Sequence, residues 1–160
     1  MIYFRKSGQG MWRVPESGRE HEELTTLAAE ERGHAWPDAL PNGKEILFTV
    51  LSSEAPEVAV LSLETSEMRR LFEGNVARYA RSGHIVYTST DAAVSLLAVP
   101  SRPIMEGLAR AGTGWSDFAL SDGGDLAYRP SSLQDGGVPV WRVGGSPRGR
   151  SISRWEEGRI

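Results

Sequence analysis

The three histidines of this 160-residue sequence, His21, His34 and His84, are its best candidates for proton transfer or metal ligation. No H-x-x-x-H or H-E-x-x-H spacing links them. His21 stands in an acidic stretch, His34 enters a strand-like segment, and His84 closes a turn. With none of the spacings that mark a metal motif, no metal site is expected. Cysteine is absent, which removes thiolate ligands and disulfides together. Ser146 in "GGSPR" falls short of a G-x-S-x-G elbow, because Arg148 occupies the place of the last glycine. "GTGWSD", residues 112–117, has a G-x-G but neither the lysine nor the following helix of a phosphate loop. The carboxylates of "SDGGD", residues 121–125, fit a hairpin turn better than a calcium loop. No enzyme activity and no cofactor are expected.

The bulk properties narrow the field further. The apolar share of 39% and charged share of 24% are those of a globular domain with a real core. A net charge of −3 offers no footprint for nucleic acid or an anionic membrane. The opening "MIYFRKSGQG" lacks the pattern of a signal peptide, and the apolar stretch at 46–63 is interrupted by "SSEAPE". The compartment stays open, with the cytoplasm as the default. Only Lys6 and Lys44 are lysines among 18 basic residues, a bias found in GC-rich bacterial genomes.

What positions these residues is a repeat. Short apolar strands begin at residues 2 ("IYF"), 46 ("ILF"), 85 ("IVY") and 126 ("LAY"), a spacing of about 40 residues. Each is followed by a turn and a second apolar strand: "GMWRVP", "EVAVLSL", "SLLAVP" and "VPVWRV". A third segment follows as "EELTTL", "EMRRLFE" and "RSISRW"; its counterpart "RPIMEGLAR" is weaker and admits a helical turn. Before three of the four lies an opening strand, at Ala35–Leu40, Ala77–Arg81 and Trp115–Ser121, whose turns place glycine where a positive φ is needed. Residues 17–33 could instead form a helix capped by Ser17 and Glu20. The Thr25-Thr26 pair and the place in the repeat favour a strand and an acidic loop. The units run 1–33 (lacking its first strand), 34–74, 75–111 and 112–160, within one domain.

"HAWPDALPNGKEILFTV", "VAVLSLETSEMRRLFEG", "ARYARSGHIVYTS" and "WSDFALSDGGDLAYRP" resemble TolB-like, WD40-like (PD40) β-propeller repeats, closest to those C-terminal to bacterial serine/threonine kinases. The resemblance covers nearly the whole chain. It implies an all-β fold of four-stranded blades, about four of them, as a partial propeller or one completed by oligomerisation. It also implies a non-enzymatic interaction or scaffold module that binds protein or peptide. Two alternatives stand beside it: a small-ligand sensor using the channel mouth, and an accessory propeller of a hydrolase or kinase encoded elsewhere. In such a fold the opening strands line the channel, which makes His34, Trp36, Arg78, Tyr79, Trp115 and Asp117 the candidate binding residues. Trp12 and Trp141, at matching places in the third strand of a blade, are expected to pack between blades. A lone blade cannot bury both apolar faces, so a homo-oligomer is expected.

Overall fold

The computed structural model describes residues 1–18, 20–91, 96–99, 102–105, 108, 118–122, 125–128, 138–142 and 150–152. Among them the chain forms fifteen strands and no helix. Strands β1 (Ile2–Arg5), β2 (Met11–Val14) and β3 (Glu22–Glu23) make a three-stranded sheet in that order. Strands β4 (Glu31–Ala39), β5 (Glu45–Ser52), β6 (Glu57–Ser62) and β7 (Met68–Glu73) make a four-stranded sheet in chain order. So do β8 (Asn75–Tyr79), β9 (Ile85–Thr88), β10 (Leu96–Val99) and β11 (Arg102–Met105). The last sheet holds β12 (Phe118–Leu120), β13 (Asp125–Tyr128), β14 (Val138–Arg142) and β15 (Arg150–Ile152). Two compact units divide the chain: Met1–Tyr79 with Tyr87–Thr90, and Ala80–Val86 with Asp91–Ile160.

The second sheet shows why these segments become strands. β5, "EILFTVLS", pairs along both edges and is buried on both faces, with Ile46, Phe48 and Val50 on one and Leu47 and Thr49 on the other. Phe48 and Val50 on one face join Ala59 and Leu61 of β6 and Met11 of β2, with Leu24 and Leu63 packed around them. Each such Leu, Val or Phe contributes about 1.5–3 kcal/mol when withdrawn from water. β7, by contrast, carries Arg69, Arg70 and Glu73 along an exposed edge, and charges there discourage pairing with another chain. In the second unit Ala80, Val86, Leu108, Leu126 and Tyr128 form a separate core, with Phe118 and Leu120 against it.

The turns behave as the glycines require. Gly43 (φ 67°) and Gly83 (φ 87°) are left-handed, and their N–H groups donate to the carbonyls of Leu40 and Ala80. The first strands depart from a simple ladder. β4 begins at Glu31, earlier than expected, and its register with β5 shifts between Ala35 and Asp38. That bulge accommodates Pro37, which has no N–H to offer a ladder, and puts Trp36 at φ 52°. Val76 repeats the conformation at φ 42°, four residues before Ala80 as Trp36 is four before Leu40. Among the described residues of 17–33, only the two-residue β3 and the start of β4 are regular, and Leu24 and Thr25 run inward as coil; the Leu24 N–H donates to the Met11 carbonyl at 2.8 Å. Residues 102–105 pair with β10 as a strand, so the helical-turn alternative does not hold there.

Thr49 is fully buried in β5, and its hydroxyl has no hydrogen-bond partner among the described residues. An unpaired buried hydroxyl costs about 1–3 kcal/mol. Thr49→Val, which keeps the shape, is expected to stabilise the protein by about 1 kcal/mol, or about 2–4 °C in Tm. Calorimetry of the two proteins checks this, and a lower Tm for the variant would refute it.

Candidate functional site

His34, expected at a channel mouth, is instead 1% exposed. The strand β4 carries it inward, against the ring of Phe48 at 5.0 Å between centroids. Its Nδ1 lies 2.6 Å from Thr25 Oγ1, and its Nε2 lies 3.1 Å from Glu31 Oε2. Thr25 Oγ1 already accepts the Met11 N–H at 2.8 Å, so its own hydroxyl proton is free to go to Nδ1. Nε2 then carries the imidazole proton and donates it to Glu31. One neutral tautomer thus satisfies every polar atom in the line. Burial pushes the His34 pKa below its ordinary value, against the opposing pull of the Glu31 charge, and Arg70 adds to the lowering.

Glu31 anchors the far end. Its side chain is 1% exposed, yet it accepts from the Ala28 N–H at 2.8 Å, from His34, and from Arg70 Nη2 at 2.6 Å. Burial alone would raise the carboxyl's pKa. The Ala28 N–H, Arg70 and His34 outweigh it and hold the carboxyl below the ordinary range. Arg70 also bonds Glu57 and faces Glu30.

Hydroxyl, imidazole and carboxylate in series are the groups of nucleophilic hydrolases. Here the hydroxyl is closed off. Thr25 is 9% exposed, and Gly10 packs so near it that an added Cβ would lie 1.7 Å from the Thr25 carbonyl oxygen. The set ties the first sheet to the second and offers a substrate no approach. Sequence reading found His34 but not Thr25, Glu31 or Arg70, which lay in stretches read as outer strands and an acidic loop.

Three other expected residues lie on two strands that hydrogen bonds join. Arg78 Nη1 donates to the carbonyls of Trp36 at 3.2 Å and Ala77 at 3.1 Å, bridging β8 to β4. The Tyr79 N–H donates to Asp38 Oδ2 at 2.7 Å, a second bridge between the same strands. Arg5 of β1 stands over the Trp36 ring, 6.0 Å from its centroid. Trp36, Arg78 and Tyr79 are all part-exposed. Trp115 and Asp117 lie outside the described residues, as do Ser146, the rest of "GTGWSD" at 112–117 and the side chain of Trp141.

The remaining candidates fill structural places. The Trp12 ring has Lys6 Nζ 3.5 Å from its centroid and the His21 ring at 5.1 Å. His84 Nδ1 meets Ser82 Oγ at 3.0 Å within its turn. In "SDGGD" the Ser121 hydroxyl accepts the Asp125 N–H at 2.9 Å, and Asp122 pairs with Arg81 at 2.9 Å. Among the described residues no group of three or more histidines or carboxylates could hold a metal ion, and no helix is long and apolar enough to cross a membrane. A cleft of about 440 Å³ is lined by Glu30, Ser52, Glu54, Glu57, Arg70 and Glu73, among others.

Comparison of the coordinates with solved structures finds a similar fold in TolB from Acinetobacter baumannii, at 18% identity and a TM-score of 0.64. The fold is that of β-propeller blades. That match covers 89% of this chain and 37% of the TolB chain. A TolB candidate from Agrobacterium tumefaciens matches at 14% identity and a TM-score of 0.64, over 88% of this chain and 55% of that one. A chain of a nidogen/laminin complex matches at 15% identity and a TM-score of 0.67, over 93% of this chain and 59% of the other. The chain thus spans well under two thirds of each of these propeller structures. At such identities the likeness carries the fold alone. No protein-family model matches the sequence, and no curated protein matches it.

Proposed function

We propose that this chain is a non-enzymatic protein-interaction module of TolB-like propeller type, a single domain of four blades that engages an extended protein or peptide segment. The observation that supports the reading is the lacing of β4 and β8 to each other and of β4 to β1. β1, β4 and β8 are joined through Arg5, Trp36, Arg78, Asp38 and Tyr79, which leaves an indole, a phenol and a guanidinium part-exposed on a stiffened surface. Aromatic and arginine side chains held in one geometry are the usual anchors of protein recognition, because little entropy remains to be lost on binding. A solved neighbour in which such a fold occurs within a complex, that of nidogen with laminin, is in keeping with this role. The module works as a homo-oligomer, with β1 at the edge of a sheet that has three strands where the others have four.

Selection from a random displayed peptide library tests the reading. Peptides that bind the wild type and lose binding to Trp36→Ala are the expected result. Failure to enrich any peptide, with the protein folded, would overturn it.

A further inference from the structure

Most arginines of the first unit that touch another side chain touch a carboxylate. Arg13 pairs with Glu22 at 2.8 Å, and Arg70 pairs with Glu31, Glu57 and Glu30. Arg78 does not. It is part-buried, its Nη1 is held by two backbone carbonyls, and no carboxylate among the described residues lies within ion-pair reach of it. Asp38, the acid beside it on β4, turns an oxygen to the Tyr79 N–H instead. A guanidinium drawn from water and met only by carbonyl dipoles is left short of a counter-charge. Its Nε and Nη2 edge remains free, and that planar fork fits a carboxylate through two parallel hydrogen bonds. Arg5, likewise without an ion pair among the described residues, adds a second positive charge on the ring side of Trp36.

Resting on the interaction-module reading, we propose that Arg78, Trp36 and Arg5 form the anchor for an acidic peptide segment. A Glu, Asp or C-terminal carboxylate occupies the free fork of Arg78, and the adjoining apolar part of the segment lies along the Trp36 indole. Peptide is favoured over polyphosphate because the chain is net negative, at −3. Such a segment brings one or two charges to a narrow positive spot, whereas a nucleic acid brings many to a surface that repels them.

The test is fluorescence anisotropy with two dye-labelled probes, a Gly/Ser-spaced oligoglutamate and the matched oligolysine, plus a labelled duplex oligonucleotide. The expected result is binding of the oligoglutamate alone, weakened by salt. Arg78→Gln should reduce it about 10- to 100-fold, the range for losing a charge-assisted hydrogen-bonded pair. Arg69→Gln, on the exposed β7, should leave it unchanged, and thermal melts confirm that each variant folds. Equal binding by Arg78→Gln, no binding of oligoglutamate, or tighter binding of oligolysine or the duplex would each overturn the anchor. The library selection separates this failure from that of the wider reading. Neutral or basic peptides that still require Trp36 would keep the module and discard its acidic ligand.

Discussion

Gly10→Ala is expected to cost at least about 3 kcal/mol of folding stability, a large part of what a domain of this size possesses. The reason is local and severe. The new Cβ would lie 1.7 Å from the Thr25 carbonyl oxygen, 2.6 Å from its carbonyl carbon and 2.8 Å from its Oγ1. Two of those atoms are backbone and cannot swing aside as a side chain would. Thr25 must retreat, and with it go the bond from the Met11 N–H and the bond to His34. Each group so stranded inside the protein carries its own desolvation cost. Urea denaturation of the variant and wild type measures the loss. A midpoint within error of wild type would show that the Gly10–Thr25 packing is not as close as described.

Acid should weaken the fold in two stages, both through the line from Thr25 to Glu31. In the folded protein His34 is neutral and its pKa is depressed, whereas the unfolded chain takes up a proton near the ordinary value of 6.5. As pH falls through that value the unfolded state binds more protons than the folded one, so stability drops until the folded pKa is reached. One group contributes at most about 1.4 kcal/mol per pH unit. Glu31 acts in the same sense lower down. Its folded pKa lies below 4.5, so its contribution is present above that pH and is lost as pH falls towards the folded value. His34→Gln should remove the first stage and leave the second. Glu31→Ala should be harsher at neutral pH, about 3–5 kcal/mol, because His34 Nε2 and the Ala28 N–H lose their acceptor inside the protein. Denaturation midpoints from pH 7.5 to 4 for the three proteins decide the matter. A wild-type midpoint that stays flat between pH 7 and 5 would mean that His34 is not kept neutral.

Much of the architecture was legible because it repeats. The apolar strands at "ILF", "IVY" and "LAY" recur with their turns, and the glycines at 43 and 83 mark two of those turns without ambiguity. The limits of the first strands were less legible. In β4 a bulge at Trp36 and Pro37 interrupts alternation, and the strand reaches back to Glu31 through residues of mixed polarity. Of the candidate binding residues, Trp36 lies on β4 and Arg78 and Tyr79 lie on β8, and hydrogen bonds join the two strands there. The interior line escaped notice because Thr25, Glu31 and Arg70 individually resemble solvated surface. Packing alone brings Thr25 and Glu31 to one histidine and Arg70 to Glu31. No local pattern announces it.

The recurring left-handed residue bears on how blades of this kind should be aligned. Counted back from the residue that opens each turn, Leu40, Ala80 and Ser121, the fourth position is Trp36, Val76 and Asp117, and the sixth is His34, Gly74 and Trp115. An alignment matched on aromatic residues would set Trp36 against Trp115 and slip out of phase across the bulge. Anchoring on the turn hydrogen bonds keeps the phase, and it separates a tryptophan that meets arginine from the column occupied by the buried histidine.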